Sequence, residues 1–204
     1  MRSSKSYSTK EWARLGAYTN PVSGTGMAFS PLGIPAGQPV TQVHETGYLE
    51  RRPHWNYPNT FSPFWRLYYN FAAGHCCVFP DREVELGPDR IVVIPDHHLF
   101  HSVGTGAPPH FWITFRHDRQ PAQGQAIPIE LAPGELELDL IRALIPLVRE
   151  DAVHPDRDRA LGLSLALLHV VLTRPEITWE TQARPGQLSR VVQHIERNLD
   201  QPLY

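Results

Sequence analysis

Cysteine is nearly absent: the 204 residues contain two, Cys76 and Cys77, and they are adjacent. Neighbouring cysteines are too constrained for an ordinary structural bridge, which excludes a disulfide scaffold and leaves a pair of half-buried thiols in a reducing compartment. No Cys-x-x-Cys motif and no Cys/His zinc spacing occurs. Long apolar runs are missing too, none approaching the roughly 20 residues that span a bilayer. The first 12 residues are polar and basic, without the apolar stretch of a secretion signal. A cytoplasmic protein making no membrane contact is expected. Charge of one sign is also lacking: 19 basic residues face 21 acidic ones, a formal net charge of −2. That balance excludes an electrostatic footprint for tight nucleic-acid binding by the chain as a whole.

Proline is abundant instead, with 20 residues, fifteen of them between Pro21 and Pro133. The same stretch holds eight of the 11 histidines. Proline removes a backbone donor and breaks helix interiors, so this part is punctuated by turns, while the rest can form long helices. Residues 1–40, rich in Ser, Thr, Gly and Pro, read as an extended N-terminal arm. From residue 41 to 133, short β-type runs recur at 43–49, 64–71, 75–79, 82–86, 90–94, 98–103, 110–116 and 126–131, separated by Gly, Pro or Asp signals. That rhythm predicts an antiparallel sandwich or barrel, here a small jelly roll.

After Pro133 the apolar period changes from two to 3.6. Leu136, Leu140, Ile141, Leu144 and Val148 define one helix, which Pro146 should kink. A second, over 156–173, carries Leu161, Leu165, Leu168 and Leu172 at spacings of four, three and four, a short seam suited to a partner subunit. These make 134–180 a helical dimerisation segment. A third helix is expected over 187–199 from Leu188, Val192, Ile195 and Leu199.

The run Phe64-Trp65-Arg66-Leu67-Tyr68-Tyr69-Asn70, the strand and turn Arg90-Ile91-Val92-Val93-Ile94-Pro95, and the run His110-Phe111-Trp112-Ile113-Thr114-Phe115, in that order, resemble the sensor domain of AraC/XylS-type transcription regulators. The resemblance covers roughly residues 40–204. It implies a cupin-like jelly-roll barrel that binds a small molecule, often a sugar, followed by a dimerising helix pair. It also implies that DNA is contacted only through a C-terminal helix-turn-helix domain, whose first helix residues 187–204 resemble and whose recognition helices are not in this sequence.

Strand alternation places Arg66, Tyr68 and Asn70 on one face and Trp65, Leu67 and Tyr69 on the other. A pocket for a polyhydroxylated ligand needs donors, acceptors and an aromatic wall, which selects Arg66, Tyr68 and Asn70 and, in the later strand, His110, Trp112 and Thr114. The resemblance supports this face, because a His-x-Trp pair lines the sugar pocket of one family member; Ser102 falls at another pocket position. A single bulge would swap the faces and make Trp65 the stacking ring.

The cluster Asp96-His97-His98-Leu99-Phe100-His101 raises a metal site through His97 and His101, and with it the alternative of a stand-alone metal-dependent cupin enzyme, an isomerase or dioxygenase. No His-x-His pair occurs, so turn histidines are the simpler reading. The expectation is therefore a non-enzymatic effector-sensing homodimer with no cofactor and no catalytic residues. Its effector is a carbohydrate or another small polar molecule.

Overall fold

The computed structural model describes residues 41–51, 55–104, 106–149 and 156–180, and the backbone of 18–19 and 27–28. The expected arm over 1–40, apart from those four backbone positions, and the expected helix over 187–199 lie outside the described residues.

Eleven strands and two helices are described: β1 (Tyr18–Thr19), β2 (Met27–Ala28), β3 (Gln42–Leu49), β4 (Asn56–Phe61), β5 (Trp65–Asn70), β6 (His75–Val78), β7 (Glu83–Leu86), β8 (Ile91–Ile94), β9 (Phe100–Gly104), β10 (His110–Arg116), β11 (Ile129–Leu131), α1 (Glu135–Val148) and α2 (Arg157–Leu172). They form a five-stranded sheet in the order β1-β4-β9-β6-β7 and a six-stranded sheet in the order β11-β8-β5-β10-β3-β2. The pairings β3 with β10, β4 with β9, β5 with β8 and β6 with β7 nest inside one another and are all antiparallel. Such nesting is a long hairpin rolled up on itself, the connectivity of a jelly roll.

The expected strands all have counterparts, most of them trimmed by a residue or more. Three strands were not expected: β1 and β2, which fall in the stretch read as an arm, and β4. β4 has the sequence Asn56-Tyr57-Pro58-Asn59-Thr60-Phe61, which does not alternate and carries a proline. The structure accommodates Pro58 at an irregularity: pairing to β9 breaks between Tyr57 and Thr60, and Asn59 takes a positive φ of 53°. Proline within a sheet is tolerated at such a bulge, where no ladder donor is needed.

Two clusters of buried side chains result. One lies between the six-stranded sheet and the helices, and includes Val43, Trp65, Leu67, Tyr69, Phe111, Ile113, Phe115, Ile141, Leu144, Leu167, Leu168 and Val171. The other lies between the sheets and includes Trp55, Tyr68, Cys77, Phe79, Val92, Ile94, Phe100 and Trp112.

α1 opens with acidic residues Glu135 and Glu137, favourable against the positive end of the helix dipole. It runs through Pro146 and ends two residues later, with Arg149 already extended. α2 opens at Asp156, whose carboxylate accepts from Arg159 N at 3.0 Å. Its buried stripe is Ala160, Ser164, Leu167, Leu168, Val171 and Leu172. This corrects the expected leucine seam. Leu168 and Leu172 are turned into the subunit's own core, whereas Leu165 is 36% exposed and Leu161 half-buried. The four leucines do not form one outward line because Leu168 and Leu172 join the buried cluster shared by the two helices and the six-stranded sheet.

Candidate functional site between the sheets

Register alone builds three rows across the inner face of the six-stranded sheet. Asn70, His110 and Leu49 are opposite one another on β5, β10 and β3. Tyr68, Trp112 and Gly47 form the next row, and Arg66, Thr114 and Glu45 the third. A bulge between Thr114 and Phe115 then shifts β3 by one residue, leaving His44 as the extra residue between Glu45 and Val43. It comes after the third row, so it does not swap the faces.

All six residues expected on one face are thus together and buried: Arg66, Tyr68, Asn70, His110, Trp112 and Thr114. Ser102, 2% exposed, lies in the opposite sheet, in register with Cys77 on one side and Tyr57 on the other. Trp65 is the exception. It is fully buried on the opposite face, with its ring near Phe115, His117 and Trp179, so it belongs to the helix-side core and not to the space between the sheets.

At one end, Asn70 links two imidazoles. His110 Nδ1 donates to Asn70 Oδ1 at 2.7 Å, and Asn70 Nδ2 donates to His75 Nδ1 at 3.2 Å. This amide orientation places the proton of His110 on Nδ1 and that of His75 on Nε2. Trp55 stacks flat on His75, with centroids 4.7 Å apart, and His110 stacks on Trp112 at 5.4 Å. Two glycines make room for these rings. A methyl group on Gly47 would come within 2.2 Å of the Trp112 ring, and one on Gly104 within 2.5 Å of His75 Cδ2.

The other end is polar in a different way. Arg66 Nη1 donates to Ser62 Oγ at 2.5 Å, and its guanidinium lies 5.7 Å from the Phe100 ring of the opposite sheet. Next to it in the row, Thr114 is 5% exposed, and its Oγ1 is buried with no hydrogen-bond partner among the described residues. Glu45, 1% exposed, closes that row. Buried polar groups normally find partners, and one left without costs stability.

Neither Trp55 nor Glu45 was singled out from the sequence. Trp55 precedes an irregular strand, and His75 and Glu45 become neighbours of the site only through pairing with distant strands. His97 and His101 are not brought into a metal centre. The His97 side chain is 62% exposed in a turn, next to Asp96, while His101 is buried and its Nδ1 accepts from Asn59 N at 2.9 Å. No group of three or more His, Cys, Asp or Glu side chains suited to a metal occurs among the described residues. Burial, reinforced by Glu83, pushes the Cys76 thiol up to about 12, and burial raises Cys77 as well, so neither is an activated nucleophile.

No protein-family profile matches the chain. No curated protein matches it. Among solved structures it is similar to ToxT from Vibrio cholerae. Against an apo point variant of ToxT the TM-score is 0.46 at 5% identity, covering 80% of this chain and 67% of that one. A second ToxT structure gives 0.42 at 4%, with 80% and 67% covered, and unsaturated fatty acid bound wild-type ToxT gives 0.40 at 7%, with 81% and 65% covered. Likenesses this distant carry nothing about ligand or activity. No helix among the described residues is long and apolar enough to cross a membrane.

Proposed function

We propose that this chain is the effector-sensing part of an AraC/XylS-type transcription regulator, taking a small polar molecule, a carbohydrate in the first instance, between its two sheets. The observation that carries the reading is the buried row Arg66–Thr114–Glu45, in which the Thr114 hydroxyl has no partner among the described residues, beside the Asn70-centred imidazole pair. A sandwich built only for stability would fill that space with apolar side chains. Arg66, Asn70 and His110 would hydrogen-bond the ligand, and Trp112 would stack on it.

Binding would act by population shift, which requires the effector to favour one arrangement of the surrounding elements over another. β3 is suited to transmit it. Gly47 lies against the Trp112 ring on the inner face, and the neighbouring Thr46 faces the helices, where its Oγ1 donates to Ser164 Oγ of α2 at 2.9 Å. Ser164 in turn donates to Ala160 O at 2.7 Å. A homodimer through the outward residues Leu161 and Leu165 belongs to the same reading, and a Leu161→Glu/Leu165→Glu chain that sediments unchanged as a dimer would remove it.

Thermal-shift screening of the purified chain against a sugar panel tests the ligand class. At least one member should raise the melting temperature of the wild type and fail to do so in Trp112→Ala. A panel with no stabilising member rejects carbohydrate, and a hit that binds Trp112→Ala with unchanged affinity rejects the pocket. DNA binding by residues 1–204 should be weak, and salt-sensitive, sequence-specific binding would contradict the assignment.

A further inference from the structure

A cleft of about 430 Å³ opens on the other side of the six-stranded sheet, lined by Thr41, His117, Arg119, Leu165, His169, Leu172, Thr173 and Trp179. It lies between the C-terminal half of α2 and the chain that follows β10. Its back wall is held in place: Pro121 and Trp179 form an antiparallel bridge, flanked by Ala122 N donating to Thr178 O at 2.8 Å and Glu180 N donating to Gln120 O at 3.0 Å. Trp179 Nε1 donates to Leu172 O at 3.2 Å, which fixes the indole against the end of α2. A preformed cleft of this size, with an aromatic floor and a few polar groups, is within the range of small-molecule sites.

The charge of the lining is one-sided. Among the described residues it contains the Arg119 guanidinium and two imidazoles and no carboxylate, while Asp118, between His117 and Arg119 in the chain, is close enough to act on His117. Arg119 lies over the Trp179 ring, 5.0 Å from its centroid, so the cation is placed at the edge of an apolar surface. The wall is also under-satisfied. His117 Nδ1 bonds Thr41 Oγ1 at 3.0 Å, but His117 Nε2 and, one ring further in, Trp65 Nε1 are buried nitrogens with no partner among the described residues. Burial pushes the His117 imidazole down to about 4, so at neutral pH it is uncharged, while the Arg119 guanidinium carries a full positive charge.

We propose that this cleft is a second ligand site, distinct from the space between the sheets, for a small anion with an apolar body, such as an aryl-alkyl carboxylate. The apolar part would pack on Trp179 and Leu172, and the anion would pair with Arg119. The proposal does not depend on the sugar reading, because no cleft residue faces the inner rows.

The test titrates the full chain calorimetrically with 4-phenylbutyrate, phenylacetate and 2-naphthoate, and with 4-phenylbutyramide as the neutral counterpart. At least one acid should bind saturably in the millimolar range or tighter, and at least tenfold more tightly than the amide. Arg119→Gln should weaken the acid tenfold or more and leave the amide unchanged, and Arg119→Glu should abolish acid binding. Arg119 is exposed, so neither substitution should disturb folding, which circular dichroism checks. No saturable binding of any acid, equal binding of acid and amide, or indifference to Arg119→Gln would each overturn the proposal. Trp112→Ala should leave acid binding intact, and its loss there would assign the acids to the inner face instead.

Discussion

The two faces of β5 and β10 are made from alternate residues of the same strands, yet they do different work. Toward the helices the strands present Trp65, Leu67, Tyr69, Phe111, Ile113 and Phe115, and α1 and α2 answer with Ile141, Leu144, Leu167, Leu168 and Val171. Toward the second sheet they present Arg66, Tyr68, Asn70, His110, Trp112 and Thr114, answered by Trp55, His75, Ser102 and Phe100. The first face is an apolar core whose removal from water stabilises the fold by roughly 1.5–3 kcal/mol for each large side chain. The second mixes rings with buried donors and acceptors, each of which must be matched to avoid a penalty. Stability is thus concentrated on the helix side, and chemical specificity between the sheets.

The largest effect should come from the apolar face. Phe115→Ala removes a fully buried ring and should cost about 3–5 kcal/mol in urea unfolding; a loss below that of an inner-face truncation would reverse the assignment of the main core. Asn70→Leu comes next. It deprives His75 and His110 of the amide between them and should cost about 1–3 kcal/mol, with the imidazole NMR signals of both histidines moving together.

A third prediction sharpens the contrast through pH. His117 sits near the helix-side core with its folded value about 4, below the ordinary 6.5, chiefly because burial disfavours its charged form. A folded value below the unfolded one means that the unfolded chain takes up the proton first. The contribution of His117 is therefore full above pH 6.5, falls as pH drops from 6.5 to about 4, and is lost below that. Because the ring is partly solvated, the loss should be about 1–2 kcal/mol rather than the full value of the shift. His117→Phe should flatten that part of the stability profile, and an unchanged slope would assign it to His44 and His101, which burial lowers in the same direction. The smallest effect belongs to neither face: Arg142→Ala breaks an exposed pair with Asp139 and should change stability by no more than about 0.5 kcal/mol.

Alternation and turn residues made most of the strands legible, and the chemistry of alternate positions was enough to choose the inner face of β5 and β10. What failed to show in sequence was whatever depended on distant partners. β4 hid behind Pro58 because its irregular pairing with β9, not its own pattern, makes it a strand. Glu45 looked like an ordinary charged residue until pairing set it beside Thr114. The leucine periodicity of α2 was real, but periodicity cannot say whether a stripe meets another subunit or the core of its own, and for Leu168 and Leu172 it is the core. The cleft at Trp179 was invisible for the same reason. Its walls come from residue 41, from 117 and 119, and from 165 to 179.

The central claim is that the inner face keeps polar groups for a ligand at some cost in stability, and Thr114→Val tests it most directly. Valine has nearly the shape of threonine and removes the buried hydroxyl that has no partner among the described residues. Differential scanning calorimetry of wild type and Thr114→Val, each with and without a stabilising sugar, should show the free variant melting at or above the wild type, by up to about 1 kcal/mol in stability, with the sugar-induced rise reduced. A free variant that melts well below the wild type while keeping the full sugar-induced rise would contradict the account.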